Sequence, residues 1–312
     1  MFENVPERLA TYVRDYMLHA DKSDRSLLYL AAAGGVIAEY LEKNFFGPNP
    51  DEFLEHKIIK ETGDIGYMFP LRILLIGETL FSLRNCPGFL EFCGRLKNQA
   101  NRNLRSTFFE MWVAKYLFRS GFEIYARRET QVKGEDFDFE AVRDGEHVNV
   151  EVTALADQVI SKNTIINALR NKRKQLPDTA PAIIFVIFPR SFTDLKKEWD
   201  LFLFVTANEF FVESKRINAI VFLAEKLFDS TKSGVGGFAF IPKPYPNMNA
   251  RIPLKDTKFL FEAQFDSPLI KQALKDQFPI ESDKLDLETK RTRTSEFYQW
   301  VDHLVPIKNG AS

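Results

Sequence analysis

Apolar residues recur at three- and four-residue spacing through the first hundred positions, as Leu9, Tyr12, Val13 and Tyr16 do. That period marks helices with one face turned to a core. It predicts helices at Glu7–Ala20, Arg25–Phe46, Asp51–Glu61, Phe69–Leu83 and Pro87–Leu96. Their breaks carry turn formers, Gly47-Pro48-Asn49-Pro50 after the second and Cys86-Pro87-Gly88 between the last two.

Near residue 100 the pattern changes to alternating helix and strand, which sets a boundary between an all-helical region, 1–100, and an α/β region, 101–260. The helix Leu104–Ser120 places Phe109, Trp112, Val113, Tyr116 and Leu117 on one stripe and stops at Gly121; a strand follows at Phe122–Arg127. Further on, Ser161–Leu176 reads as a helix with Ile165, Leu169, Lys172 and Leu176 inward, and Ala182–Phe188 as a strand covered on both faces. Thr206-Ala-Asn-Glu209 has the form of a capping box opening a helix to Arg216. Strands follow at Ala219–Ala224 and Gly237–Ile241, then a loop over Pro242–Pro253. A C-terminal extension, 261–312, carries helical patterns at Pro268–Gln277 and Thr294–Leu304 and is expected to pack on the α/β region.

The segment Asp136–Thr153 holds two runs of strict alternation around Asp144-Gly145, the signal of a two-residue hairpin turn. Counting outward from that turn pairs Val142 with His147, Ala141 with Val148, Phe139 with Val150 and Asp138 with Glu151. One face then carries Phe137, Phe139, Ala141, Val148, Val150 and Val152, and the other Asp136, Asp138, Glu140, Asn149, Glu151 and Thr153. Directly opposed side chains start about 4.5–5.5 Å apart at Cβ. Asp138 and Glu151 would therefore repel each other unless a cation or a proton sits between them.

Composition narrows the function less than the pattern does. Of 312 residues 45% are hydrophobic and 30 are Phe, enough for a real core and against disorder. The net charge of −1 gives no global field for nucleic acid, so any such contact must come from local patches. Cys86 and Cys93 are too few for a disulfide framework or a zinc site, and His19, His56, His147 and His303 lack ligand spacing. No early apolar segment reads as a secretory signal and no run reaches the roughly 20 residues of a membrane span, so a cytoplasmic location is expected.

The helix-strand-strand-strand-helix-strand order, with acids at Glu110, Asp138 and Glu151, resembles the PD-(D/E)xK nuclease superfamily. The resemblance covers about a third of the chain and implies a restriction-endonuclease-like αβββαβ core in an α/β mixed sheet, preceded by the helical N-terminal region. It implies Glu110 as the helical acid, Asp138 or Asp136 as the strand aspartate, and Glu151-Val152-Thr153 as the Glu-x-Lys. Asp136, Asp138 and Glu151 would hold Mg²⁺ or Mn²⁺, which wants hard oxygen ligands, acidifies water and offsets charge on phosphorus. Thr153 stands where the family has lysine and cannot supply its positive charge. Asn171-Lys-Arg-Lys-Gln175 offers substitutes, Lys172 first among them.

Each residue also has a plainer reading. The hairpin acids fit a solvated strand face, Glu110 fits the capping box Thr107-Phe-Phe-Glu110, and Lys172 fits a cation at a helix C-terminus. Three readings stand open: a metal-dependent nuclease acting on nucleic acid, DNA before RNA, a catalytically inactive nuclease-like module that binds nucleic acid or protein, and an unrelated α+β protein whose hairpin acids are surface decoration. A homodimer is compatible with each.

Overall fold

The computed structural model describes residues 5–20, 24–42, 45, 68–98, 104–127, 136–155, 160–188, 199–230, 235–261 and 295–305. The helices expected at Asp51–Glu61 and Pro268–Gln277 lie outside them.

The described residues form a mixed α/β structure of eight α-helices and one six-stranded sheet. In chain order these are α1 (Glu7–Met17), α2 (Arg25–Leu41), α3 (Met68–Leu83), α4 (Phe89–Lys97), α5 (Leu104–Arg119), β1 (Glu123–Ala126), β2 (Phe139–Arg143), β3 (Glu146–Ala154), α6 (Lys162–Gln175), β4 (Ala182–Ile187), α7 (Trp199–Glu213), β5 (Ala219–Ser230), β6 (Val235–Pro246) and α8 (Glu296–Leu304), with a 3₁₀ turn at Lys258–Phe261. The strands lie side by side in sequence order. Pairs β1–β2, β2–β3 and β5–β6 are antiparallel, whereas β3–β4 and β4–β5 are parallel, joined over α6 and α7.

Each face of the sheet has its own apolar layer. Val148, Val150 and Val152 of β3 and Phe185 of β4 point into a core shared with α1–α5 and α8. On the opposite face Ile184 and Val186 meet Ile165 and Leu169 of α6 and Leu203, Ala207 and Phe210 of α7. β4 is buried along its whole length, which is why its sequence is an unbroken apolar run. Both cysteines are free and buried, and burial pushes each thiol up to about 12.

The hairpin register counted from the turn is the one observed, with Phe139 opposite Val150 and Val142 opposite His147. Asp144 and Gly145 have φ of 51° and 70°, the left-handed conformation that a tight hairpin turn of this type demands at both central positions.

Other expectations change. Thr206 does not open a helix: α7 starts at Trp199, and the Thr206 hydroxyl donates to the Phe202 carbonyl inside it at 2.8 Å. A capping-box pattern cannot tell an N-terminus from a helix interior whose Thr bonds back one turn. The Pro-rich loop expected from Pro242 begins as strand, since β6 runs to Pro246. Pro242, Pro244 and Pro246 alternate along this edge strand, so their missing N–H groups fall on one side and leave the pairing with β5 intact. The C-terminal helix lies against the N-terminal helices, with Trp300 stacked on Phe81 at 4.8 Å and Tyr298 edge-on to Tyr29 at 4.9 Å.

A buried polar knot fastens that helix. Glu78 of α3 is ion-paired with Lys115 of α5, and both are almost fully buried. Ser295, the N-cap of α8, donates to Glu78 Oε1 at 2.6 Å, and Ser82 adds a bond at 3.1 Å. Burial alone would raise the Glu78 pKa, but Lys115 and the hydroxyl of Ser295 hold it below the ordinary glutamate value.

Among the described residues no helix is long and apolar enough to cross a membrane.

Candidate functional site

The acidic face of the hairpin does not face solvent. Phe139, Ala141 and Val150 turn toward the α5 side of the sheet, so the alternate residues of β3, Asn149 and Glu151, turn toward α6 and are buried beneath it. Glu151 is 0% exposed. A carboxylate placed there must be neutralised, paired or coordinated, because isolated buried charge is too costly to keep.

Lys172 supplies part of the answer. Its Nζ donates to Glu151 Oε1 at 2.9 Å, reaching down from α6 while 23% of its side chain stays exposed. Burial works against the ammonium, yet Glu151, Asp138 and Glu110 together hold the Lys172 pKa above the ordinary lysine value. It is not simply a cation dressing a helix terminus. The second oxygen, Glu151 Oε2, is buried with no hydrogen-bond partner among the described residues.

Asp138 ends the β2–β3 ladder. The last ladder pair on this side is Phe139 with Val150, and beyond it the Asp138 carboxylate accepts the Val152 amide at 2.7 Å. The pairing of Asp138 with Glu151 counted from the turn therefore becomes a side-chain closure. The two carboxylates stay neighbours: burial first, then the Asp138 charge, push the Glu151 pKa well above the ordinary value, and Lys172 offsets this only in part.

The third acid arrives from the other side of the sheet. Glu110 sits in the middle of α5, buried at 5% exposure, and Thr107 lies inside the same helix, so no capping box uses its carboxylate. Glu110 Oε2 instead accepts from Arg95 Nη1 at 2.8 Å. The same Arg95 nitrogen is 4.0 Å from Asp138 Oδ1, and Arg95 Nη2 donates to the Asp138 carbonyl at 3.2 Å. Arg95 belongs to α4, and its guanidinium lies over the Phe92 ring at 4.9 Å. α4 is held close to the sheet by Gly88, whose φ is +76° and where an added Cβ would come within 2.9 Å of the Ala126 carbonyl.

Asp136 and Thr153 are more peripheral. Gln175 of α6 donates to the Asp136 carbonyl at 3.3 Å, so this residue is tied through its backbone. Thr153 is half-buried two residues beyond Glu151 on β3 and supplies no charge. Among the described residues no group of three or more His, Cys, Asp or Glu has metal-holding geometry, so Asp136 does not join Asp138 and Glu151 in such a group. Arg95 is the residue sequence reading missed. It lies on an ordinary helix fifteen residues before Glu110 and no motif marks it.

The donor set fits a hard divalent cation at two of its positions. Asp138 and Glu151 present neighbouring carboxylates within hydrogen-bond reach of each other, a pair that must share a proton or a cation, and Glu151 Oε2 accepts from no N–H or hydroxyl among the described residues, which matches an ion bound by one or two carboxylates plus water. No protein-family model matches the sequence, and no curated protein matches it.

Proposed function

We propose that this chain is a metal-dependent nuclease that hydrolyses phosphodiester bonds of nucleic acid, built on a restriction-endonuclease-like core. The observation that carries the reading is the Lys172–Glu151 pair. The missing motif lysine would doom a metal-dependent site only if no cation replaced it, and a lysine from the following helix reaches the same glutamate at 2.9 Å.

Asp138 and Glu151 would hold Mg²⁺ or Mn²⁺, with Asp138 fixed by the Val152 amide and Glu151 by Lys172. When bound, such an ion lowers the pKa of a coordinated water and offsets charge at phosphorus. Lys172 keeps a positive charge beside Glu151 as negative charge builds on the substrate, the work Thr153 cannot do. Glu110 pairs with Arg95 and is better read as a positioning group than as a direct participant. Lys172 keeps 23% of its side chain exposed and Asp138 keeps 14%, while Glu151 is fully covered.

A second reading, a catalytically inactive module that binds nucleic acid or protein, draws on two facts. Lys172 and Arg95 already have carboxylate partners, and no group of three or more acids has metal-holding geometry among the described residues. One experiment separates the readings. Circular single-stranded DNA, double-stranded DNA and RNA are incubated with the protein and Mg²⁺ or Mn²⁺, beside Glu151→Gln. Metal-dependent cutting lost in the variant is the expected result; no cutting of any substrate would favour the binding module.

A further inference from the structure

We propose that Arg95 is a built-in cation that takes the place of a second metal ion, so that the site accepts one divalent ion rather than two. The inference rests on the metal-dependent reading above and adds to it a residue and a stoichiometry.

Three carboxylates converge on the start of β2, two of them tied to cations of the chain: Glu151 to Lys172 at 2.9 Å and Glu110 to Arg95 at 2.8 Å. A site with three free acids would have charge enough for two divalent ions, as two-metal hydrolases do. Here the helical acid is already committed. A guanidinium cannot lose its proton at any accessible pH, so Arg95 is a permanent charge and not a switchable one.

Its placement is also fixed. The side chain is only 10% exposed, Nη2 is anchored on the Asp138 carbonyl at 3.2 Å, and the group packs over Phe92. Arg95 Nη1 thus lies 2.8 Å from Glu110 Oε2 and 4.0 Å from Asp138 Oδ1, and supplies there the positive charge that a second ion would otherwise bring. On the other side of Asp138 the Glu151 carboxyl lies within hydrogen-bond reach of it, with no N–H or hydroxyl donor to Oε2 among the described residues, and there the two carboxylates would hold an ion. The arrangement separates one side of Asp138, filled by Arg95, from the other, open to a metal. It also makes an N-terminal helix part of the site, because α4 carries the charge.

The test is Mn²⁺ titration by calorimetry on the full chain, with no substrate present. Wild type should bind about one Mn²⁺ per chain, and Glu151→Gln should lose it. Arg95→Met removes the guanidinium from beside Glu110 and Asp138 and should either raise the stoichiometry to about two or tighten binding about tenfold, by removing a positive charge beside the ion. Arg95→Lys keeps the charge and should behave as wild type. Arg95→Met takes a charge-paired cation away from the buried Glu110 and could unfold the chain, so Glu110→Gln serves as the second variant. It should still bind about one ion, since Glu110 is committed to Arg95 and is not a ligand. A wild type binding two ions, an Arg95→Met protein that folds with wild-type stoichiometry and affinity, or a Glu110→Gln protein that binds none would each overturn this inference while leaving the nuclease reading standing. A wild type that binds no Mn²⁺ would overturn both.

Discussion

Lys172 Nζ and Glu151 Oε1 meet at 2.9 Å from positions 21 residues apart, one on α6 and one on the buried face of β3. The pair spans the gap between a helix that retains some solvent contact and a strand position that has none. It fixes the glutamate with one oxygen on Lys172 and its carboxyl beside that of Asp138.

Replacing Lys172 by Met is expected to cut the rate of nucleic-acid cleavage by about 10²–10³-fold, the typical loss when one charge-stabilising group leaves a reacting centre. The fold should survive, because Glu151, whose pKa is already raised, can take a proton when its partner goes. Adding Thr153→Lys to the Lys172→Met protein should recover part of the rate, since residues 151 and 153 share a strand face. Initial rates at saturating Mg²⁺ check both points; an unimpaired Lys172→Met enzyme would remove Lys172 from the chemistry.

Lys115→Met should be among the most damaging changes to stability. It strands Glu78 in the core, and breaking a buried pair on one side costs about 3–5 kcal/mol. The double variant Glu78→Leu/Lys115→Met should recover most of that loss, though not the anchorage of Ser295. Urea unfolding of the three proteins measures it.

Acid should loosen the same knot. Glu78 has a folded pKa below its ordinary value of 4.5, so its contribution is complete above that value and is lost as pH falls below it through the depressed folded pKa. Stability measured from pH 6 down to about pH 3 should therefore fall, and more steeply in wild type than in the double variant, which has no carboxyl at this position.

Gly77 is a contact point between helices. A Cβ there would lie 2.6 Å from the Cα of Ala33, so α2 and α3 pack at a distance only glycine permits. Gly77→Ala gains helix propensity but forces the helices apart, and the overpacking should win, with a net loss of about 1–3 kcal/mol by thermal or urea unfolding. A stabilised variant would show that α2 and α3 can slide apart freely.

The sequence by itself determined the hairpin and several of the elements around it. Periodicity placed α3, α5, α6 and β4 to within a few residues, because each buries one face or both and its apolar pattern must follow. Asp144-Gly145 set the register of β2 on β3, because few other residues adopt two successive left-handed conformations cheaply. What the alternation could not decide was which side of the sheet is covered. A strand with one acidic face reads the same whether that face meets water or a helix. Only the packing of α6 buried Glu151 and brought Lys172 to it. The partner of Glu110 was equally hidden, because α4 reaches Asp138 only when Gly88 lets it approach β1. Local pattern records which residues share a face; whether a polar face is covered, and which distant charge answers it, is settled by tertiary packing, where the cost of an unpaired buried ion selects the partner.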